Sequence, residues 1–314
     1  LVQGPKVKKF EEHIASFTGA KYAIAVNSCT SGQFIMSRIM DLQPGDEVIV
    51  PAYTWISTVN SIEFLSAKPV FCDISLESFN IDTKEINPII NTRTKAIYPV
   101  SLFGLAANMY EVNHLAANHG LKVVEDCACG LGATIDGRHC GLFGNAGVLS
   151  FHPRKSITTG EGGMIITNNK FIDKMARSLR DHGAEISDYS RHREGKSFQM
   201  SKFPFLGYNM RMTDLQGAVG IAQTEKLNEI LDNKTQIARE FNERLSDIPW
   251  LKLPEIPQGY HHSYQTYCTL FKPNELYEVL EKHDTDQLDK LHEERNALMN
   301  KLQKLGIHTR PGTH

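Results

Sequence analysis

An α/β domain carrying a largely parallel sheet is the fold class this sequence predicts, and two patterns predict it. Short apolar runs alternate with amphipathic stretches through the first half of the chain, the mark of strand–helix–strand units. Some runs are apolar without a break, as at residues 48–50, where a strand covered on both faces is expected.

In order, strands are predicted over 22–26, 47–50, 69–72, 95–100 and 121–125, with helices over 31–40, 54–65, 83–90 and 108–119 between them. Pro44 and Gly45 punctuate the turn that feeds the second strand. Two more strands, 146–151 and 163–167, flank a connection holding Lys155, and a helix follows over 171–180. Residues 181–205 are polar and aperiodic, and a structureless stretch of that length inside a compact domain is usually functional. Helices are predicted over 213–231 and 233–245, separated at Asp232 and Asn233. A strand over 261–271 and a charged amphipathic helix over 286–305 complete the pattern. The predicted division is a large domain, 1–234, and a smaller C-terminal one, 235–314, with residues missing beyond each end because the chain lacks an initial Met and stops soon after a helix.

The 314 residues are 41% hydrophobic and 22% charged, with a net charge of −2. Basic and acidic residues are interspersed, which leaves no footprint for nucleic acid or an anionic membrane. No run approaches the ~18 apolar residues of a membrane span. The six cysteines are scattered through the chain, as for free thiols in a cytoplasmic protein.

Four strand ends carry candidate chemistry. In "VNSCTSGQF" the hydroxyls of Thr30 and Ser31 open a helix. They read either as a helix cap or as an anion seat, where free N–H groups and the helix dipole favour a phosphate. In "PAYTWISTVN" Trp55 is either core or a ring to stack on a flat heterocycle. In "VVEDCACG" Asp126 ends a buried strand, as a cap or as the acid that keeps a pyridine nitrogen protonated. In "FHPRKSITTGEGGMIIT" Lys155 is a lone lysine in a half-buried setting. An ordinary lysine, with a pKa of ~10.4, is a poor nucleophile. Burial and nearby cationic charge are expected to depress that value and permit a Schiff base with an aldehyde cofactor.

Seven segments in order, among them "PGDEVIVPAYTWISTVN", "VVEDCACGLGA", "SFHPRKSITTGEGGMIIT" and "LGYNMRMTDLQGAVGIAQ", resemble those of the DegT/StrS sugar-nucleotide aminotransferases. These are pyridoxal 5'-phosphate enzymes of fold type I. The resemblance implies that Lys155 is the Schiff-base lysine and proton shuttle, and Asp126 the partner of the pyridine nitrogen. It implies that Trp55 covers the ring, that Thr30, Ser31 and Ser150 hold the phosphate, and that Cys129 meets the ring hydroxyl. Asn209 would reach the cofactor of a neighbouring subunit, so a homodimer with shared sites is implied. Arg211, Arg310 and His314 would touch substrate. The implied reaction carries an amino group from an amino acid, glutamate by expectation, through pyridoxamine phosphate to a nucleotide-linked keto sugar. Three positions depart from the pattern: Cys129 stands where many relatives have Gln, Cys29 where a glycine is common, and "TRPGTH" where His-Tyr-Pro is usual. Relatives that dehydrate keto sugars carry His at the lysine position, whereas this chain has Lys155.

Three rival readings use other residues. Cys127, Cys129, His139 and Cys140 suggest zinc but lack the usual ligand spacing, so no metal is expected. "GLFGNAG" superficially suggests a dinucleotide loop, but it leads into a strand instead of opening a helix. A cofactor-binding sensor without turnover would keep the fold, and the intact Lys155 and Asp126 argue against it.

Overall fold

The computed structural model describes residues 2–185 and 201–312. Helix α1 (Pro5–Thr18) has Pro at its start and ends at Gly19, with Val7, Phe10 and Ile14 on its buried face. That spacing is a helical stripe. Then come β1 (Tyr22–Val26), α2 (Cys29–Ile39), β2 (Glu47–Pro51), α3 (Ile56–Glu63), β3 (Lys68–Cys72), β4 (Thr94–Ile97), α4 (Met109–His119) and β5 (Lys122–Asp126). After two short strands, β6 (Thr134–Ile135) and β7 (Arg138–His139), the chain forms β8 (Ala146–Ser150), β9 (Gly163–Thr167) and α5 (Lys170–Leu179).

The main sheet has seven strands in the order β1-β9-β8-β5-β4-β2-β3. β9 pairs antiparallel with both β1 and β8, and the other pairs are parallel. This is the mostly parallel sheet expected of fold type I. Alternate side chains feed two cores, as the period of a strand dictates. Ala23, Ala25, Ile49, Ile97, Leu149 and Ile166 join one core with α1 and α4. Ile24, Val48, Val50, Ala96, Val148 and Ile165 join the other with residues of α2, α3 and α5. The sheet is therefore the middle of three layers. Glu11 ties α1 to the end of α5 through ion pairs to Arg177 and Arg180, at 2.8 and 2.7 Å, and to β1 by accepting the Ala25 N–H at 2.9 Å.

The structure differs from expectation in four places. The helix predicted over 83–90 is two 3₁₀ turns, Thr83–Glu85 and Asn87–Ile89, because Pro88 cannot supply a helical N–H. The helices placed at 213–231 and 233–245 are instead α6 (Asp214–Thr224) and α7 (Leu227–Leu245). The break lies at Glu225 and Lys226, and α7 runs through Asp232 and Asn233 because Leu227, Leu231 and Ala238 bury its inner face. The strand predicted over 261–271 is reduced to β11 (Tyr260–His261) and β12 (Leu270–Phe271). β12 pairs with β10 (Leu251–Lys252), and β11 pairs with β6. Helix α8 (Pro273–Lys282), which the sequence analysis did not place, precedes α9 (Thr285–Lys304). The polar stretch 181–205 lies largely outside the described residues, as does His314. Among the described residues no helix is long and apolar enough to cross a membrane.

Candidate active site

The carboxyl ends of β1, β2, β5 and β8 bring the candidate residues to one edge of the sheet. At β1 the chain turns into α2, with Ser28 as N-cap: its Oγ accepts from the Ser31 N–H at 3.1 Å and lies 2.9 Å from Ser31 Oγ. The first N–H groups of a helix have no intrahelical partner, so Thr30 and Ser31 stand at an anion-attracting end. Two glycines let this end sit close to the sheet. A Cβ on Gly32 would come within 2.6 Å of Val148 Cγ1, and one on Gly163 within 2.6 Å of the Ser28 backbone.

Asp126 ends β5 and is buried. Its Oδ2 accepts from Gln33 Nε2 at 2.5 Å and Thr58 Oγ1 at 2.7 Å, and its Oδ1 from the Ala128 N–H at 3.0 Å. A buried carboxylate needs such donors. Gln33 and Thr58 were missed in the sequence. The available signal was a polar side chain on a helix turn that faces a strand end.

Lys155 lies in the wide connection between β8 and β9. Thr158 Oγ1 and the Thr159 N–H both donate to the Phe151 carbonyl, at 2.9 and 3.0 Å, and stitch that loop. Lys155 Nζ donates to Cys129 Sγ at 3.1 Å. Here the expectation of a depressed pKa is corrected. Burial does oppose the ammonium, but Cys129, followed by Cys29 and Asp126, outweighs it and holds the Lys155 pKa above the ordinary value. The neighbours that dominate are acceptors rather than the cations the sequence analysis supposed. Asp126, Cys29, Cys129 and Lys155 thus share one electrostatic neighbourhood, in which burial, followed by Asp126, pushes the Cys29 thiol well up.

The remaining candidates range from buried to exposed. Trp55 caps α3 and is 51% exposed. Ser150 is buried at the end of β8. Asn209 is exposed, while its segment is fastened by Tyr208 N–H to Leu179 O at 2.7 Å and Met210 N–H to Arg180 O at 2.9 Å. Arg211 forms an ion pair with Asp181 at 2.5 Å. Arg310 is exposed near the end of the described chain.

The rival motifs have structural uses. Glu125 accepts the N–H groups of Gly141, Phe143 and Gly144 at 2.6, 2.8 and 2.7 Å, so the glycine loop wraps a buried carboxyl. His139 Nε2 accepts from the Gly132 N–H at 3.0 Å, and Cys140 Sγ donates to Gly130 O at 3.0 Å. Among the described residues no group of three or more His, Cys, Asp or Glu side chains is arranged to hold a metal.

A model of the DegT/DnrJ/EryC1/StrS aminotransferase family matches residues 1–311. The chain belongs to this family. The Bacillus subtilis spore coat polysaccharide biosynthesis protein SpsC is 36% identical over 267 residues, 85% of this chain and 68% of SpsC. The crystal structure of S. venezuelae DesV with a ketimine intermediate superposes with a TM-score of 0.78 at 27% identity, covering 90% of this chain and 73% of that one. DesI in the presence of its TDP-sugar product gives 0.82 at 26% identity, covering 99% and 73%. This family member is therefore a pyridoxal-phosphate-dependent aminotransferase of fold type I. Its site suits the cofactor: a primary amine for the aldehyde, a buried carboxylate for the ring nitrogen and a helix N-terminus for the phosphate.

Proposed function

We propose that the chain transfers an amino group from an amino acid, with glutamate as the expected donor, to the ketone of a nucleotide-linked sugar. The observation that carries this reading is the convergence of Lys155 and Asp126 at the sheet edge, beside the start of α2. Bound pyridoxal phosphate supplies a carbonyl for the incoming nitrogen and a ring that draws off the electrons of a broken C–H bond.

The chain's own residues do the rest. The start of α2, with Thr30, Ser31 and Ser150, seats the phosphate. Asp126, held by Gln33, Thr58 and the Ala128 N–H, would pair with the ring nitrogen. Trp55 would cover the ring, and Cys129 would meet the ring hydroxyl. Lys155 Nζ takes and returns the proton at the reacting carbon. Because it is held above its ordinary pKa in the cofactor-free chain, loading begins from an ammonium that must shed a proton. The anchored backbone around an exposed Asn209 suits a side chain that reaches a second subunit, so the working form is a homodimer in the cytoplasm. Arg211, oriented by Asp181, and Arg310 would face the substrate. The SpsC likeness supports a place in polysaccharide biosynthesis, and the DesI likeness supports a nucleotide-linked substrate.

The test is absorbance of the loaded protein on adding glutamate. An enzyme converts the cofactor to its amine form, whereas a sensor leaves the spectrum unchanged. Lys155→Ala is expected to slow that conversion by about 10²–10⁴-fold, the range of a general acid–base group; unchanged turnover in this variant would refute the assignment. A screen of 3-keto and 4-keto nucleotide sugars against the amine-loaded protein, read by mass spectrometry, then identifies the acceptor.

A further inference from the structure

Gln33 is only 1% exposed, and it sits on α2 one turn from the anion seat. Its Nε2 donates to Asp126 Oδ2, while its Oε1 is enclosed with no hydrogen-bond partner among the described residues. A half-satisfied buried amide is costly. Leucine or methionine would fill a similar volume with no polar atom to satisfy. What the amide uniquely offers is its donor on Asp126.

The acceptor count shows what that donor does. A carboxylate offers about four lone-pair positions. On Asp126, Gln33 and Thr58 occupy Oδ2, and the Ala128 N–H occupies one position of Oδ1. One position is left, on Oδ1. Remove Gln33 and both oxygens have an opening, so the carboxylate can present either.

We propose that Gln33 is a positioning residue for the cofactor's ring nitrogen: it closes Oδ2, so that Asp126 offers a single acceptor for a single N–H. This inference rests on the proposed pairing of Asp126 with that nitrogen. It assigns the specificity of the pairing to a side chain that does not itself need to touch the cofactor.

The test uses the full chain loaded with pyridoxal phosphate carrying ¹⁵N in the ring, as wild type, Gln33→Leu, Gln33→Met and Gln33→Glu. The readouts are the ring-nitrogen chemical shift, the cofactor Kd and the thermal midpoint with and without cofactor. The leucine and methionine variants lose a donor on Asp126 but also the enclosed, unpaired Oε1, so their cofactor-free melting temperatures should stay close to that of wild type. Their ring signal should move toward the unprotonated position, with Kd weakened about tenfold, or about 1.4 kcal/mol. Gln33→Glu keeps the shape and, buried against Asp126, holds its proton and can still donate, so it should retain more of the wild-type ring signal and Kd than leucine or methionine. Leucine and methionine variants with the wild-type ring signal and Kd would overturn the inference and leave Gln33 as filler. Wild-type protein that takes up no cofactor would instead refute the functional reading, and this inference with it.

Discussion

Glu125 makes stability depend on pH in a direction opposite to that of most carboxylates. Burial pushes its pKa up to about 7 from an ordinary 4.5, against the pull of the N–H groups of Gly144, Gly141 and Phe143. Below about pH 4.5 the group is neutral in both folded and unfolded chains. As the pH rises toward 7 the unfolded chain gives up the proton and the folded one keeps it, so the folded state loses stability over that interval. At ~1.4 kcal/mol per tenfold the loss is at most about 3.5 kcal/mol. In Glu125→Gln this dependence is absent, although the amide NH₂ then confronts a backbone donor at a cost that does not vary with pH. The variant should therefore be less stable than wild type near pH 5, with the gap narrowing by up to about 3 kcal/mol by pH 8. Urea unfolding of both proteins at matched concentration across this range measures the gap directly. A gap that stays level from pH 5 to 8 would refute the assignment of the titration to Glu125.

Two further outcomes are expected. Cys129→Ala removes the contact that, after burial, contributes most to the Lys155 pKa. That pKa should fall, so the pH profile for cofactor loading should move to lower pH; a profile that stays in place would show that Cys129 does not control the amine. Gly32→Ala gains about 1 kcal/mol in helix propensity but drives a methyl to within 2.6 Å of Val148. Overpacking costs about 1–3 kcal/mol, so the melting temperature should fall and the phosphate seat should loosen; a higher melting temperature would show that α2 can lift off the sheet freely.

Much of the fold could be read from the sequence because the strands alternate between two cores and the helices between them have clear ends. The boundaries of β1, β8, β9 and α4 follow the predicted ones closely. The prediction went astray where burial overrides local chemistry. Asp232 and Asn233 look like a break but sit within a helix fixed by Leu227 and Leu231. α1 was readable from Pro5 and the Val7–Phe10–Ile14 spacing, and was overlooked. At the site, strand ends pointed to Asp126 and Lys155. The grip of Gln33 and Thr58 on Asp126 depends on contacts 93 and 68 residues apart in sequence, and no local pattern encodes those. The Lys155 environment was misjudged for a similar reason: which charges surround a lysine is a property of the packed chain.

The close approach of Gly163 to the Ser28 backbone has a mechanical consequence. The exit of the lysine loop and the entrance of the first crossover helix are clamped without an intervening side chain. The end of the lysine loop and the anion seat therefore share one anchor, which limits how far the span between them can change. A cofactor analogue lengthened by a single methylene between ring and phosphate would have to strain itself, because the protein has little slack there to give.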